Sequence, residues 1–153
     1  MQGMSPIVKN VTRLVAGFIA LFGIYIVLYG HVTPGGGFAG GVILAGGLAL
    51  VVLAFGEEFA RKVLTHEAAQ TADSLGAILF LLIALLGYAG GLFFTNLLPV
   101  GEVGKLFSAG IIAPCNVAIG IKVGAGLFGV FLALAAFRRA GAGSGGRTGM
   151  LEE

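Results

Sequence analysis

Four long apolar runs, separated by short polar or glycine-rich stretches, set the pattern of the chain. The first covers Val11 to Tyr29, the second Phe38 to Phe55, and the third Ser74 to about residue 97. The fourth starts between Ile111 and Val117, near residue 115, and ends at Phe137. A helix of roughly 20 residues, rising about 1.5 Å per residue, crosses a hydrocarbon core of about 30 Å. Each run therefore predicts one membrane-spanning helix, and together they predict an all-α integral membrane protein: a four-helix membrane domain over residues 1–140 and a flexible glycine-rich tail over 141–153.

Composition sharpens this picture. Of 153 residues, 58% are apolar and 10% charged, which is far from the balance of a soluble domain. The four runs leave no room for a soluble catalytic domain, so the chain is not expected to be an enzyme by itself. Lys9 and Arg13 precede the first apolar run as they would in a signal peptide. That run is too long for a signal core, however, and another follows within a few residues, so it is read as a span. The single cysteine, Cys115, can form no internal disulfide and offers no metal-site spacing, and no cofactor or metal is expected.

The placement of charge carries more than the net value of +2 and points to a bilayer, not to nucleic acid. With four spans, one side holds Lys9, Arg13, Arg61, Lys62, Arg138, Arg139 and Arg147, and the other holds Lys105. By the positive-inside rule both termini are expected in the cytoplasm of a prokaryotic cell, with the chain multi-pass in the plasma membrane. The cytoplasmic connection "GEEFARKVLTHEAAQTAD" places Glu58 and Lys62 four apart, the spacing of a short surface helix. It is read as a solvated connector or as a docking surface. No internal repeat suggests a self-sufficient transporter.

Two places carry candidate chemistry. The first is "YGHVTPGGGFAGG", between spans 1 and 2. Thr33 is placed to cap a helix, Pro34 suits a first helical position, and Gly35, Gly36 and Gly37 permit a sharp turn or close contact. His31, at the outer end of span 1, is either an interfacial hydrogen-bonding residue or a proton-responsive group. Glycines four apart, Gly36 with Gly40, Gly37 with Gly41, Gly87 with Gly91 and Gly120 with Gly124, predict close helix packing.

The second is Lys122, an ionisable residue inside span 4. Such a residue costs about 2.5 to 3.5 kcal/mol when central and tends to face a bundle interior. Cys115, Ala118, Ile119, Ala125, Gly126 and Gly129 share its helix face and are nearly all small, which favours a protein-facing or wet position over a snorkelling one, although Gly120 and Gly124 fall among the bulky residues of the other side. All seven acidic residues fall outside the four runs as drawn, so an acidic partner for Lys122 is expected from another polypeptide.

These motifs carry a family likeness. "GHVTPGGGFAGG" and "CNVAIGIKVGAGLFGVF", in this order, resemble the B subunit of the Mrp-type multisubunit sodium/proton antiporters, and the likeness runs from about residue 8 to 138. Similar subunits occur in membrane-bound hydrogenase and related respiratory complexes. The resemblance implies a small membrane subunit of an ion-translocating assembly, with other membrane subunits and hydrogenase or other redox subunits as partners, and sodium ions and protons moved by the complex. Its marked positions correspond to His31, Pro34, Gly35, Gly36, Gly37, Gly40, Gly41, Asn116, Gly120 and Lys122. Two functions stay open: an ion-transport subunit using Lys122 and His31, or a structural anchor that seals a membrane oxidoreductase.

Overall fold

The computed structural model describes residues 4–56, 65–102 and 108–144. The proposed Glu58–Lys62 helix, Lys105 and the end of the tail lie outside the described residues. Among the described residues, four α-helices follow in order: α1 (Pro6–Tyr29), α2 (Gly36–Phe55), α3 (His66–Leu86) and α4 (Ile112–Ser144), with a 3-10 turn (Gly87–Gly90) continuing α3. All four are long and apolar enough to cross a membrane.

Helix limits differ from the apolar runs wherever capping, not hydropathy, decides them. α1 starts at Pro6, because a proline at the first helical position gives up an N–H that would be unpaired there anyway. α3 starts at His66, where the Thr65 side chain accepts a hydrogen bond from the Ala68 N–H at 3.2 Å. That is two turns before Ser74, so Asp73, placed by hydropathy in the loop, belongs to the helix. At its other end the helical path stops at Gly90, although the apolar run continues to residue 97. Gly91 turns left-handed with φ 96°, and Gly87 packs against the returning backbone of Phe94 and Thr95. Gly87 and Gly91 thus serve a chain reversal, not helix packing.

Contacts run α1 to α2, α2 to α4 and α4 to α3, with a lighter touch between α1 and α4. The helices form a row more than a closed bundle. Met4 N–H donates to Ala54 O at 3.0 Å, which pins the start of α1 to the end of α2. The two flanks of the row meet at a small core where Phe128, fully enclosed, packs with Val52 of α2 and Ala69 of α3. Only 17 to 33% of each span is fully buried within the chain, and many large apolar side chains, among them Phe18, Leu21, Leu82 and Phe137, are exposed. Such surfaces are stable only against lipid or other polypeptides.

Candidate functional site

The glycine turn forms first, from backbone chemistry. After α1, Val32 and Thr33 N–H groups both donate to Tyr29 O at 2.9 Å, and the Thr33 hydroxyl donates to the same carbonyl at 3.0 Å. Thr33 therefore closes α1 and does not cap α2, contrary to its expected role, and exposed Pro34 lies ahead of α2, not in its first turn. The next two residues have φ of +132° (Gly35) and +67° (Gly36), a backbone path that a β-carbon would strain. His31 sits half-buried in this turn.

A residue 79 positions away supplies the cap. Gly37 N–H, one of the unpaired donors at the start of α2, donates at 3.3 Å to Oδ1 of Asn116, the fifth residue of α4. This bond needs near contact between backbones, and a β-carbon at Gly37 would run into the Asn116 main chain. One turn on, a β-carbon at Gly41 would lie 2.8 Å from Gly120 O and 3.1 Å from Gly124 N. Gly40 faces the other way, onto Val27 and Gly23 of α1. Gly37, Gly41, Gly120 and Gly124 thus form the α2–α4 seam, as the four-residue spacing predicts, and Asn116 locks the end nearest the glycine turn. Asn116→Ala should cost about 1 kcal/mol, as the loss of a helix cap does. The check is a lowered thermal midpoint of the purified assembly.

Lys122 lies on the opposite flank of α4. A β-carbon at Gly76 of α3 would be 2.9 Å from Lys122 Cβ and from Ala118 O, so Gly76 lets α3 lie directly on the lysine's face. The ammonium then meets Asp73 of α3, with Nζ 2.9 Å from Oδ1. The acidic partner comes from this chain, which corrects the expectation that another polypeptide must provide it. The side chain runs toward the carboxyl end of α4. Asp73 Oδ1 stands 3.3 Å from where a β-carbon on Gly126 would be, one turn further toward the carboxyl end than Lys122 itself.

The two charges enter from opposite ends of the spans. Asp73 lies two turns into α3, roughly 10 Å along its axis, and Lys122 lies about 15 Å into α4, which runs antiparallel to it. The side chains remain 47% (Lys122) and 39% (Asp73) exposed in the chain alone. Hydrocarbon is a poor neighbour for a half-open ion pair, so this flank belongs against protein or water. Beside it a groove of about 510 Å³ runs between α3 and α4, lined by Gln70, Asp73, Ser74, Gly126 and Gly129 among others. His31 and Asn116 are on the α1–α2 side of α4 and Lys122 on the α3 side, so the structure separates the two ionisable candidates.

Hydropathy alone misses Asp73 and Gly76. The available signal is spacing: Ala69, Asp73 and Gly76 recur at four and three residues, so the acid falls on a helix face with two small residues that permit close packing.

These features define a polytopic helical membrane subunit with a charged pair between apolar helices and a glycine seam braced by a remote asparagine. The family described as "Domain related to MnhB subunit of Na+/H+ antiporter" matches residues 7–129, and the chain belongs to that family. An uncharacterized protein of Methanocaldococcus jannaschii is 35% identical over 130 residues, covering 80% of this chain and 49% of that protein. The B subunit of the Na+/H+ antiporter of Bacillus subtilis is 41% identical over 58 residues, 38% of this chain and 41% of the relative. Among solved structures, a chain of the membrane-bound sulfane sulfur reductase, an archaeal respiratory membrane complex, superposes with a TM-score of 0.70 at 36% identity. The match covers 82% of this chain and 56% of that one. The chain thus spans about half the length of the curated relatives it matches.

Proposed function

We propose that the chain is the MnhB-type subunit of a multisubunit sodium/proton antiporter module, free-standing or built into a respiratory membrane complex of a prokaryotic plasma membrane. Its task there is to help form the ion path, with Lys122 as a fixed charge of that path. The observation that carries this reading is the Lys122–Asp73 pair, set well inside two apolar helices and half open. A purely structural anchor has no need of a charged pair on an open flank, where apolar residues of similar volume would hold the helices at least as well.

Partners follow from the same surfaces. Each span leaves large apolar side chains exposed within the chain, and the ion-pair flank needs a neighbour that is not lipid, which fits larger membrane subunits of the module. Redox subunits of the hydrogenase or sulfur-reductase kind join them if the parent complex is respiratory. Lys9 and Arg13 near the start of α1, with Arg138 and Arg139 near the end of α4, support cytoplasmic placement of both termini. The pinned ends of α1 and α2 agree with the alternating direction this requires. The membrane domain is taken as residues 1–140 and the tail as 141–153, with α4 running on to Ser144 across that boundary.

Purification in mild detergent tests the reading. It should retrieve larger membrane subunits together with the chain, and vesicles holding that assembly should exchange sodium for protons. Exchange by the chain alone in liposomes would overturn it. Iron-sulfur or nickel proteins in the assembly would mark the respiratory form.

His31 enters this scheme as a proton-responsive neighbour at the outer turn, separate from the ion pair. His31→Gln is expected to change the pH profile of exchange without lowering the amount of assembled complex. A superimposable profile would take His31 out of the path.

A further inference from the structure

Resting on the transport reading, we propose that the Asp73 carboxylate is itself a binding site for a monovalent cation, sodium or a proton, and that the Lys122 ammonium is the built-in competitor that empties it. Among the described residues of the spans, Glu67 and Asp73 are the acids of α3. Glu67 sits exposed in the first turn and Asp73 two turns deeper. The site already accepts one positive charge, because Oδ1 holds Lys122 Nζ at 2.9 Å.

Three features make that charge exchangeable. First, both partners are partly open within the chain, so the pair can be reached without unfolding of either helix. Second, the groove beside Asp73 brings the Gln70 amide and the Ser74 hydroxyl to the same wall, which are oxygen donors of the type that hard cations take. Third, Gly126 keeps the approach clear, since a β-carbon there would press on Asp73 Oδ1 at 3.3 Å, and around Gly129 a β-carbon would meet nothing within 4 Å. Roughly 30 Å³ per water molecule leaves room in about 510 Å³ for a hydrated ion.

Charge sets the valence. The empty site is one carboxylate and one ammonium, net zero. A monovalent cation on Asp73 makes the site net +1 and drives Lys122 off the carboxylate, whereas a divalent ion would leave +2 among apolar helices. When Lys122 returns, the cation is expelled. Lys122 is the charged group that α4 turns toward Asp73, α2 carries no titratable side chain between Gly36 and Phe55, and the 3-10 turn offers Tyr88 at the far end of α3. Among the described residues, occupancy is therefore governed by the pair and by the ion concentration in the groove.

Infrared difference spectroscopy on the intact purified complex reads this site directly. Adding sodium in place of a bulky organic cation should shift a carboxylate band that is absent in Asp73→Asn and displaced in Asp73→Glu. In Lys122→Ala the same band should saturate at about tenfold lower sodium, since the competitor is gone. A band that answers to acidification but not to sodium assigns the site to protons. Gly126→Val should weaken the response. The exchange Asp73→Lys with Lys122→Asp separates a site from a strut: restored assembly with exchange still lost supports the site, and restored exchange overturns it. Absence of any band that depends on Asp73, with the variants assembled, also overturns it. A wild-type complex that exchanges no cation refutes the transport reading instead, and the band still decides the site.

Discussion

Lys122→Ala is expected to lower sodium/proton exchange by the assembled complex more than tenfold while its subunits still co-purify within about twofold of wild type. The expected sparing of assembly comes from exposure. Removing one partner of a fully buried pair strands a charge and costs about 3 to 5 kcal/mol, but both side chains here are half open within the chain, so the remaining carboxylate is within reach of water or of a neighbouring subunit's donors. The close contacts that hold α3 on α4 are made by Gly76, Ala118 and the Lys122 backbone and Cβ, which alanine retains. Exchange suffers because the carboxylate loses the positive charge held against it. Exchange assayed in inverted vesicles, beside a gel of the purified subunits, checks both halves. Unaltered exchange, or a complex that comes apart, would contradict the prediction.

Gly37→Leu is expected to have the largest structural effect of any of these substitutions. The position has no room even for a β-carbon, because the Asn116 backbone fills it, and that backbone belongs to a helix that cannot yield without parting from Gly41. Overpacking a core by a methylene or two costs about 1 to 3 kcal/mol. A whole isobutyl group at a backbone contact should exceed that and also remove the Gly37–Asn116 hydrogen bond. The chain should fail to accumulate with its partners, and Gly37→Ala should show the same loss in milder form. Immunodetection of the chain in membranes and in the purified complex measures it. Normal recovery of Gly37→Leu would mean that α2 and α4 do not meet as described.

The number and type of helices are legible in the sequence because bilayer-length apolar runs admit little else. The seam is legible too, since Gly37, Gly41, Gly120 and Gly124 repeat at the spacing of one helix face. What escapes is decided by residues distant in sequence or by local caps. Thr33 reads as the cap of α2 by proximity, yet its hydroxyl turns back to Tyr29, and the donor at Gly37 is met by Asn116. Asp73 reads as loop because averaging hydropathy cuts a span at its first charge. Thr65 caps α3 two turns earlier, and a carboxylate with a lysine at 2.9 Å does not behave as an isolated charge. A cation in one span is thus a reason to search the ends of the others for its anion.

Because the four helices stand side by side, the polypeptide resembles a fence panel more than a container. Its amide-braced side and its ionic side look out in different directions from a shared post, α4. A slight lean of that post would register on both at once, so a neighbour pushing on the glycine side could alter how firmly the ammonium grips its carboxylate without ever approaching it.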